Sequence, residues 1–173
     1  MEFVPFTTQQ LSYLAKQDPC LAPMFAGVFA SDELPGVPEL WKKRAYIVNT
    51  DPIDKPGAHW LAIFTQKHRC EIMDSYGLPL KWYRPSDVYK WVCEHFHQIT
   101  GNAITLQEMN SQSCGQYALM YLKMKARGQS MDDFIGLFKK GDYVHNDHLV
   151  GEMVKPLLKI GRASCRERVC QYV

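Results

Sequence analysis

In the sequence NSQSCGQYALM, residues 110–120, a polar, serine-rich loop leads into an apolar segment of helical character. Cys114 stands where the two meet, and we predict it at the N-terminus of that helix. The helix dipole is positive there and unpaired backbone N–H groups point toward the sulfur, which favours a thiolate over a thiol. Gly115 would leave room for a substrate carbonyl to approach. From this stretch alone, a cysteine that simply starts a buried helix is an equally good interpretation.

Upstream, two apolar runs of strand type, residues 59–65 and 68–74, are separated by Gln66-Lys67. A two-residue hairpin turn at that point would set His59 directly opposite Asp74, on one face and with Cβ atoms ~5 Å apart. The same register pairs Leu61 with Ile72, so an apolar strip lies below the polar pair. A slip of one residue would move Asp74 to the opposite face.

The remaining pattern predicts an α+β chain, with a small mixed β-sheet packed against the helix that carries Cys114. This single domain is assigned to residues 1–160, and residues 161–173, which lack an apolar period, are predicted to be a non-native or disordered tail. The predicted helices are 9–16 capped by Thr7 or Thr8, 87 to about 99, 114–127, 130–138 and 146–158, and the further strands are 27–30, 44–50 and 103–107.

Composition excludes several classes of protein. Of the 173 residues, 46% are hydrophobic and 22% are charged, which is typical of a globular chain. The net charge of +2 is too small to indicate DNA as a partner, and no apolar run approaches the ~18 residues of a membrane span. The six cysteines lack the spacing of a metal site, so we expect no metal or cofactor, and reduced thiols in an intracellular compartment.

Four residues together match the roles that a cysteine hydrolase needs. His59 would act as the base, Asp74 would orient it, Gln107 would donate to an oxyanion and Cys114 would attack. Taken singly, His59 is better explained as a core histidine and Asp74 as a turn aspartate. Gln112 is the other candidate donor, but it lies only two residues before Cys114, which leaves less chain to reach over the sulfur.

The order His, Asp, Gln, Cys along the chain resembles that of adenain-like cysteine peptidases, the group of the adenovirus protease, and of SUMO-deconjugating proteases. Papain-type enzymes have the order Gln, Cys, His, Asn. The resemblance is closer to the adenoviral group and to enzymes of Maverick/Polinton elements and large DNA viruses. It spans roughly residues 10–125 and lies in IVNT at 47–50, HWLA at 59–62, MDSYG at 73–77, Gln107 seven residues before Cys114, and Cys114-Gly115.

The resemblance implies that His59 is the general base, Asp74 its orienting acid, Cys114 the nucleophile and Gln107 the oxyanion donor together with the Cys114 backbone N–H. It implies that Trp60 forms a wall of the substrate channel. The implied activity is an endopeptidase that cuts viral capsid or core precursor proteins after small residues such as Gly, in the host nucleus or cytoplasm and in the virion. An isopeptidase for ubiquitin-like modifiers and a non-catalytic binding module are the alternatives.

In one respect the sequence departs from the adenoviral pattern. The adenoviral enzyme is activated by a peptide disulfide-linked to a cysteine shortly before the glutamine, where this chain has Ala103, Ile104 and Thr105. We therefore expect no disulfide-linked activator. The remaining options are a non-covalent activating peptide or pre-organisation by the chain's own segment 130–158.

Overall fold

The computed structural model describes residues 4–169. Its five-stranded β-sheet is built around two apolar strands, residues 44–49 and 60–66. Nearly every side chain of both central strands is buried, because helices cover both faces of the sheet. The elements in chain order are α1 (Thr8–Gln17), β1 (Phe25–Phe29), β2 (Arg44–Asn49), β3 (Trp60–Gln66), β4 (Arg69–Met73), a 3₁₀ turn (Leu80–Tyr83), α2 (Asp87–His95), β5 (Gln98–Gly101), α3 (Cys114–Ala126), α4 (Met131–Ile135) and α5 (Tyr143–Val169).

The strands lie in the order in which they occur in the sequence, β1 to β5. β2, β3 and β4 are antiparallel neighbours, while β1 pairs parallel with β2 and β5 pairs parallel with β4. The sheet is therefore mixed, and α3 packs against β3 at its centre. The predicted α+β fold, a mixed sheet against the helix that carries Cys114, is confirmed.

The alternation of side chains along the strands divides the core into two layers. Ile47, Ala62 and Met73 point to the face covered by α1, α3, α4 and α5. Val48, Ile63 and Ile72 point to the other face, where α2 packs through Val88, Trp91 and Val92. In the first layer, α3 places Cys114 near the N-terminal end of the central strand β3.

The register predicted for the β3–β4 hairpin is wrong by two residues. The turn lies at Lys67-His68, with Lys67 in the left-handed region at φ 55°, so Ile63 pairs with Ile72 and Thr65 with Cys70. A shift by two residues preserves the face of every side chain, since the side-chain period of a strand is two. His59 and Asp74 consequently remain on one face, as neighbours rather than directly opposed residues.

Two further predictions are wrong at the segment before α3. The helix predicted to reach Ile99 ends at His95, because residues 98–101 form the edge strand β5 beside β4. The strand predicted at 103–107 is a loop, in which the N–H groups of Leu106 and Gln107 both donate to the Ser75 carbonyl. In both places pairing with a distant strand or loop prevails over local propensity.

The helix boundaries agree better with the sequence. Thr7 caps α1 through a capping box with Gln10, and Gly128 follows α3 at φ 82°. The short helix predicted to reach Phe138 ends at Ile135. The last helix begins at Tyr143, before the predicted cap Asn146, and continues past Leu158. The predicted tail, 161–173, falls partly on α5 and partly outside the described residues, and its origin stays a prediction.

An ion cluster joins the end of α1 to the end of α3. Asp18, which is 4% exposed, accepts bonds from both Nη atoms of Arg127 at 2.9 and 3.1 Å and lies 2.9 Å from Lys123 Nζ. Burial raises the pKa of Asp18, but the two cations and the backbone N–H of Leu21 outweigh burial and lower the pKa to about 2. Because the pKa of Asp18 is lower in the folded than in the unfolded chain, ionisation of this carboxyl increases the free energy of unfolding.

We expect Asp18→Asn to lower the free energy of unfolding by about 1–2 kcal/mol at pH 7, with little loss for the exposed Asp54→Asn control. The folded pKa is depressed, so the contribution is present above the unfolded value of about 3.9 and disappears as pH falls toward 2. Urea unfolding of wild type and variant at a series of pH values measures this. A difference that stays constant between pH 7 and pH 3 would contradict the ion-pair account.

Candidate active site

Cys114 is the first residue of α3 and is half-buried at the side of a cleft. Ser113, the residue before it, makes no side-chain capping bond to the helix, so no hydroxyl of that residue competes for the first-turn N–H groups. The cleft has a volume of about 460 Å³. Its walls come from the segment before and at the start of α1, from the loop before β3, and from the loop before Cys114, and include Phe6, Asn49, His59, Trp60, Tyr76 and Gln112.

His59 contacts the two other polar groups of the predicted triad. Its Nε2 lies 2.8 Å from Asp74 Oδ1, and the Cys114 side chain is close enough to the ring to raise its pKa. The ring stacks on the Tyr76 ring, with 4.7 Å between centroids and 28° between planes. The structure thus brings together thiol, imidazole and carboxylate from three separate elements, as the sequence predicted.

Asp74 is 1% exposed, and its carboxylate is hydrogen-bonded to groups that can donate to it. Besides His59, the backbone N–H of Tyr76 donates to Oδ1 at 2.8 Å and the hydroxyl of Tyr83 donates to Oδ2 at 2.5 Å. Asn102 fixes the backbone of the same residue, since its Oδ1 accepts the Asp74 N–H and its Nδ2 donates to the Asp74 carbonyl. A buried carboxylate with this many donors is held in one orientation.

The proton affinity of His59 is set by these contacts. Burial alone lowers the pKa of His59, but the interactions with Asp74 and with Cys114 outweigh burial and raise the pKa to about 9. The imidazolium form therefore persists through neutral pH. A protonated imidazole can donate a proton to a leaving group.

Gln107 is buried next to the cleft rather than on its wall. Its Oε1 accepts the Ser75 hydroxyl at 2.6 Å, and its Nε2 donates to the Ser111 carbonyl at 2.8 Å and to Tyr76 Oη at 3.3 Å. Gln112, the other candidate, is exposed and lines the cleft. The choice of Gln107 as oxyanion donor stays a prediction.

Trp60 lines the cleft beside His59, where the sequence predicted a channel wall. Gly115 is buried, and a Cβ on it would lie 3.3 Å from both the Phe6 Cβ and Trp60 Cδ1. The missing side chain thus lets α3 pack closely against the N-terminal segment and β3. The predicted contact between Gly115 and a substrate carbonyl stays a prediction.

A second glycine sets the position of the Gln107 loop. Gly77 has φ 67°, and a Cβ there would lie 2.6 Å from the carbonyl carbon of Ile104. The hydroxyl of Thr105 also donates to the Tyr76 carbonyl at 2.9 Å. The MDSYG motif therefore carries both the acid and the glycine that lets the next loop approach its backbone.

Sequence reasoning missed Tyr83, Asn102, Ser75 and the ring stacking of Tyr76, all of which surround the predicted residues. Ser75 and Tyr76 adjoin Asp74 within the motif, so their position could have indicated a supporting role. Tyr83 and Asn102 carry no such signal, since each reaches Asp74 across a loop or a strand. Among the described residues, no cluster of three or more His, Cys, Asp or Glu side chains could hold a metal ion, and no helix is long and apolar enough to span a membrane.

The sequence matches no protein-family model and no curated protein. Among solved structures, the chain is similar to two crystal structures of the ASFV pS273R protease. The selenomethionine structure shares 24% identity at a TM-score of 0.37, covering 62% of this chain and 43% of that one. The other shares 17% identity at a TM-score of 0.49, covering 84% of this chain and 70% of that one. This chain thus spans less than half of the first structure and about 70% of the second.

Removing the Asp74 charge should lower the proton affinity of His59. We expect Asp74→Asn to lower the pKa of His59 by about 1–2 units from about 9, because both a hydrogen bond and a negative charge are lost. NMR titration of the His59 ring measures the change. Glu71→Gln is the matched control, since Glu71 pairs with Lys125 and Tyr121 instead. An unchanged His59 pKa in Asp74→Asn would contradict the pairing.

Proposed function

We propose that this chain is a cysteine endopeptidase with Cys114 as its nucleophile. The observation that supports the proposal most is the meeting of three groups in one cleft. His59 and Cys114 line the same cleft, where Cys114 raises the pKa of the imidazole, and His59 Nε2 lies 2.8 Å from Asp74 Oδ1. This arrangement can generate a thiolate and protonate a leaving group, which are the two requirements of thiol-dependent acyl transfer.

The proposed reaction has two steps. The Cys114 thiolate attacks the scissile carbonyl carbon, and the tetrahedral intermediate collapses to an acyl-enzyme as His59 gives its proton to the departing amine. A water molecule then loses a proton to His59 and attacks the thioester, which releases the carboxylic acid and the Cys114 thiolate and so restores the thiolate–imidazolium pair. Asp74 stays ionised throughout and keeps the ring facing the sulfur.

Gln107 is proposed to stabilise the oxyanion of both intermediates, together with the Cys114 backbone N–H. Its amide nitrogen carries two hydrogens, one of which is held by the Ser111 carbonyl at 2.8 Å. The other points to Tyr76 Oη over a longer 3.3 Å contact, and is the one that a developing negative charge could attract.

Replacing either glutamine separates the two candidates. We expect Gln107→Ala to lower kcat by roughly 10²–10³-fold, the usual cost of losing an oxyanion donor. Gln112→Ala, a matched change on the exposed cleft wall, should lower kcat by less than about 3-fold. Steady-state hydrolysis of one fluorogenic peptide by both variants measures the difference. The reverse result would transfer the role to Gln112.

The proposed substrates are viral capsid or core precursor proteins cut after small residues such as Gly. The support comes from the resemblance of the HWLA and MDSYG motifs to adenain-like enzymes, and from a cleft that Trp60 and Phe6 line. A peptidase of this kind would act in the infected host cell, in nucleus or cytoplasm, and in the virion. A non-covalent activating peptide is compatible with the proposal, because residues 103–105 offer no thiol for a covalent one.

Trp60 should set the preference for small residues. We expect peptides with Gly-Gly or Gly-Ala before the cut to be hydrolysed at least ~10-fold faster than matched peptides with Phe or Arg there. A narrow channel would exclude the bulky side chains of Phe and Arg. Trp60→Ala should reduce that ratio, whereas Trp41→Ala, at a tryptophan 77% exposed outside the cleft lining, should not. The ratio of kcat/KM values measures this. Equal rates in the wild type would reject a narrow channel.

One experiment tests the proposed function as a whole. The purified chain is given a peptide library and, beside it, a modifier protein joined to lysine through a Gly-Gly isopeptide bond. Cleavage of the peptides, abolished in Cys114→Ala, supports the endopeptidase. Cleavage of the isopeptide alone would support the isopeptidase, and alkylation of Cys114 without any turnover would leave a binding module.

A further inference from the structure

Two adjacent polar residues of α5 are buried against the loop that carries Gln107. Asn146 is 0% exposed and Asp147 is 4% exposed, although both lie on a helix whose neighbouring positions Val144 and His145 are exposed. A buried amide and a buried carboxylate lower stability unless each is hydrogen-bonded. Their partners therefore indicate what they do.

Asn146 joins the Gln107 loop to the turn before α5. Its Nδ2 donates to the Leu106 carbonyl at 3.1 Å and to the Lys139 carbonyl at 2.8 Å, and its Oδ1 accepts the Lys139 N–H at 2.8 Å. All three of these bonds go to backbone atoms, so the amide fixes the path of two loops. One of the bonded residues, Leu106, immediately precedes Gln107.

Asp147 is hydrogen-bonded to Glu108, the residue that follows Gln107. Its Oδ2 accepts the Glu108 N–H at 3.2 Å, and its Oδ1 accepts the hydroxyl of Tyr117 at 2.9 Å. Tyr117 belongs to α3, is fully buried, and lies 3.2 Å from the Leu106 carbonyl through the same hydroxyl. The carboxylate thus ties the loop to the helix that carries Cys114.

We propose that Asn146 and Asp147 are positioning residues that hold Gln107 at the distance from Cys114 that acyl transfer requires. The backbone is fixed at Leu106 on one side of the glutamine and at Glu108 on the other, so its side chain starts from a defined point. The segment 130–158 thereby does within the chain what an activating peptide would otherwise do. This inference rests on the proposed peptidase and on Gln107 as its oxyanion donor.

The experiment compares three variants with the wild type: Asn146→Ala, Asp147→Ala and Asp147→Asn. We expect kcat to fall roughly 10–100-fold in the two alanine variants, because a displacement of about 1 Å at a reacting group has this effect, with KM nearly unchanged. Asp147→Asn should retain activity within a few-fold. Its Oδ1 can still accept the Glu108 N–H, while its amide donates to Tyr117, whose hydroxyl turns to the Leu106 carbonyl.

A second readout separates positioning from general damage. Alkylation of Cys114 by iodoacetamide needs the thiolate and no oxyanion donor, so its rate should match the wild type in all three variants. Amide hydrogen exchange should show loss of protection at Glu108 in Asp147→Ala and retained protection in Asp147→Asn. Combined with Gln107→Ala, either alanine change should lower kcat by less than about 3-fold more, because both act through the same side chain.

Several results would overturn the proposal. These are wild-type kcat in both alanine variants, an effect that adds in full to that of Gln107→Ala, or an alkylation rate that falls in parallel with kcat. A wild-type chain that is alkylated at Cys114 but hydrolyses no peptide would refute the proposed function and this inference with it. That case is recognised by the inactive wild type, whereas failure of the positioning role alone leaves the wild type active.

Discussion

The site depends on the burial of one carboxylate. Asp74 is almost inaccessible to water, and a buried charge is tolerated only where donors surround it. Those donors come from separate parts of the chain: His59 before β3, the Tyr76 backbone after β4, and Tyr83 on the 3₁₀ turn, while Asn102 after β5 holds the Asp74 backbone. Satisfying this one group therefore determines how four segments meet, and it orients the imidazole toward Cys114 as a consequence.

The second constraint is the close approach of α3 to the sheet. Because Gly115 has no side chain, α3 packs directly against Trp60 and Phe6. This packing places Cys114 in the same cleft as His59. The loop before the helix is held from the far side by Asp147, through bonds to backbone and to a tyrosine of α3. Sheet, helix and C-terminal segment thus together support the side chains of the candidate site, which is the arrangement that a pre-organised site needs.

Much of this was accessible from the sequence, because it depends on local patterns. The apolar runs predict the central strands, a serine-rich loop followed by apolar residues predicts a helix starting at Cys114, and Thr7 or Thr8 predicts the start of α1. The pairing of His59 with Asp74 was also accessible, although the predicted register was wrong. An error of two residues leaves each side chain on its face, so the prediction depended only on the parity of the spacing.

Tertiary contacts decided the rest. The hairpin turn at Lys67, which has a left-handed backbone conformation, goes with the observed register. Residues 98–101 pair with β4 as a strand, where helical spacing predicted a continued helix. The loop at 103–107, the hydroxyl of Tyr83 on Asp74, and the bonds of Asn146 have partners far away in the chain. Hydrophobic periodicity reports which face of an element is buried, but it contains nothing about which distant polar group will meet that face. The local pattern of residues therefore indicates the central strands, most helices and the candidate residues His59, Asp74 and Cys114, whereas the groups that hold these side chains in place depend on contacts between distant parts of the chain.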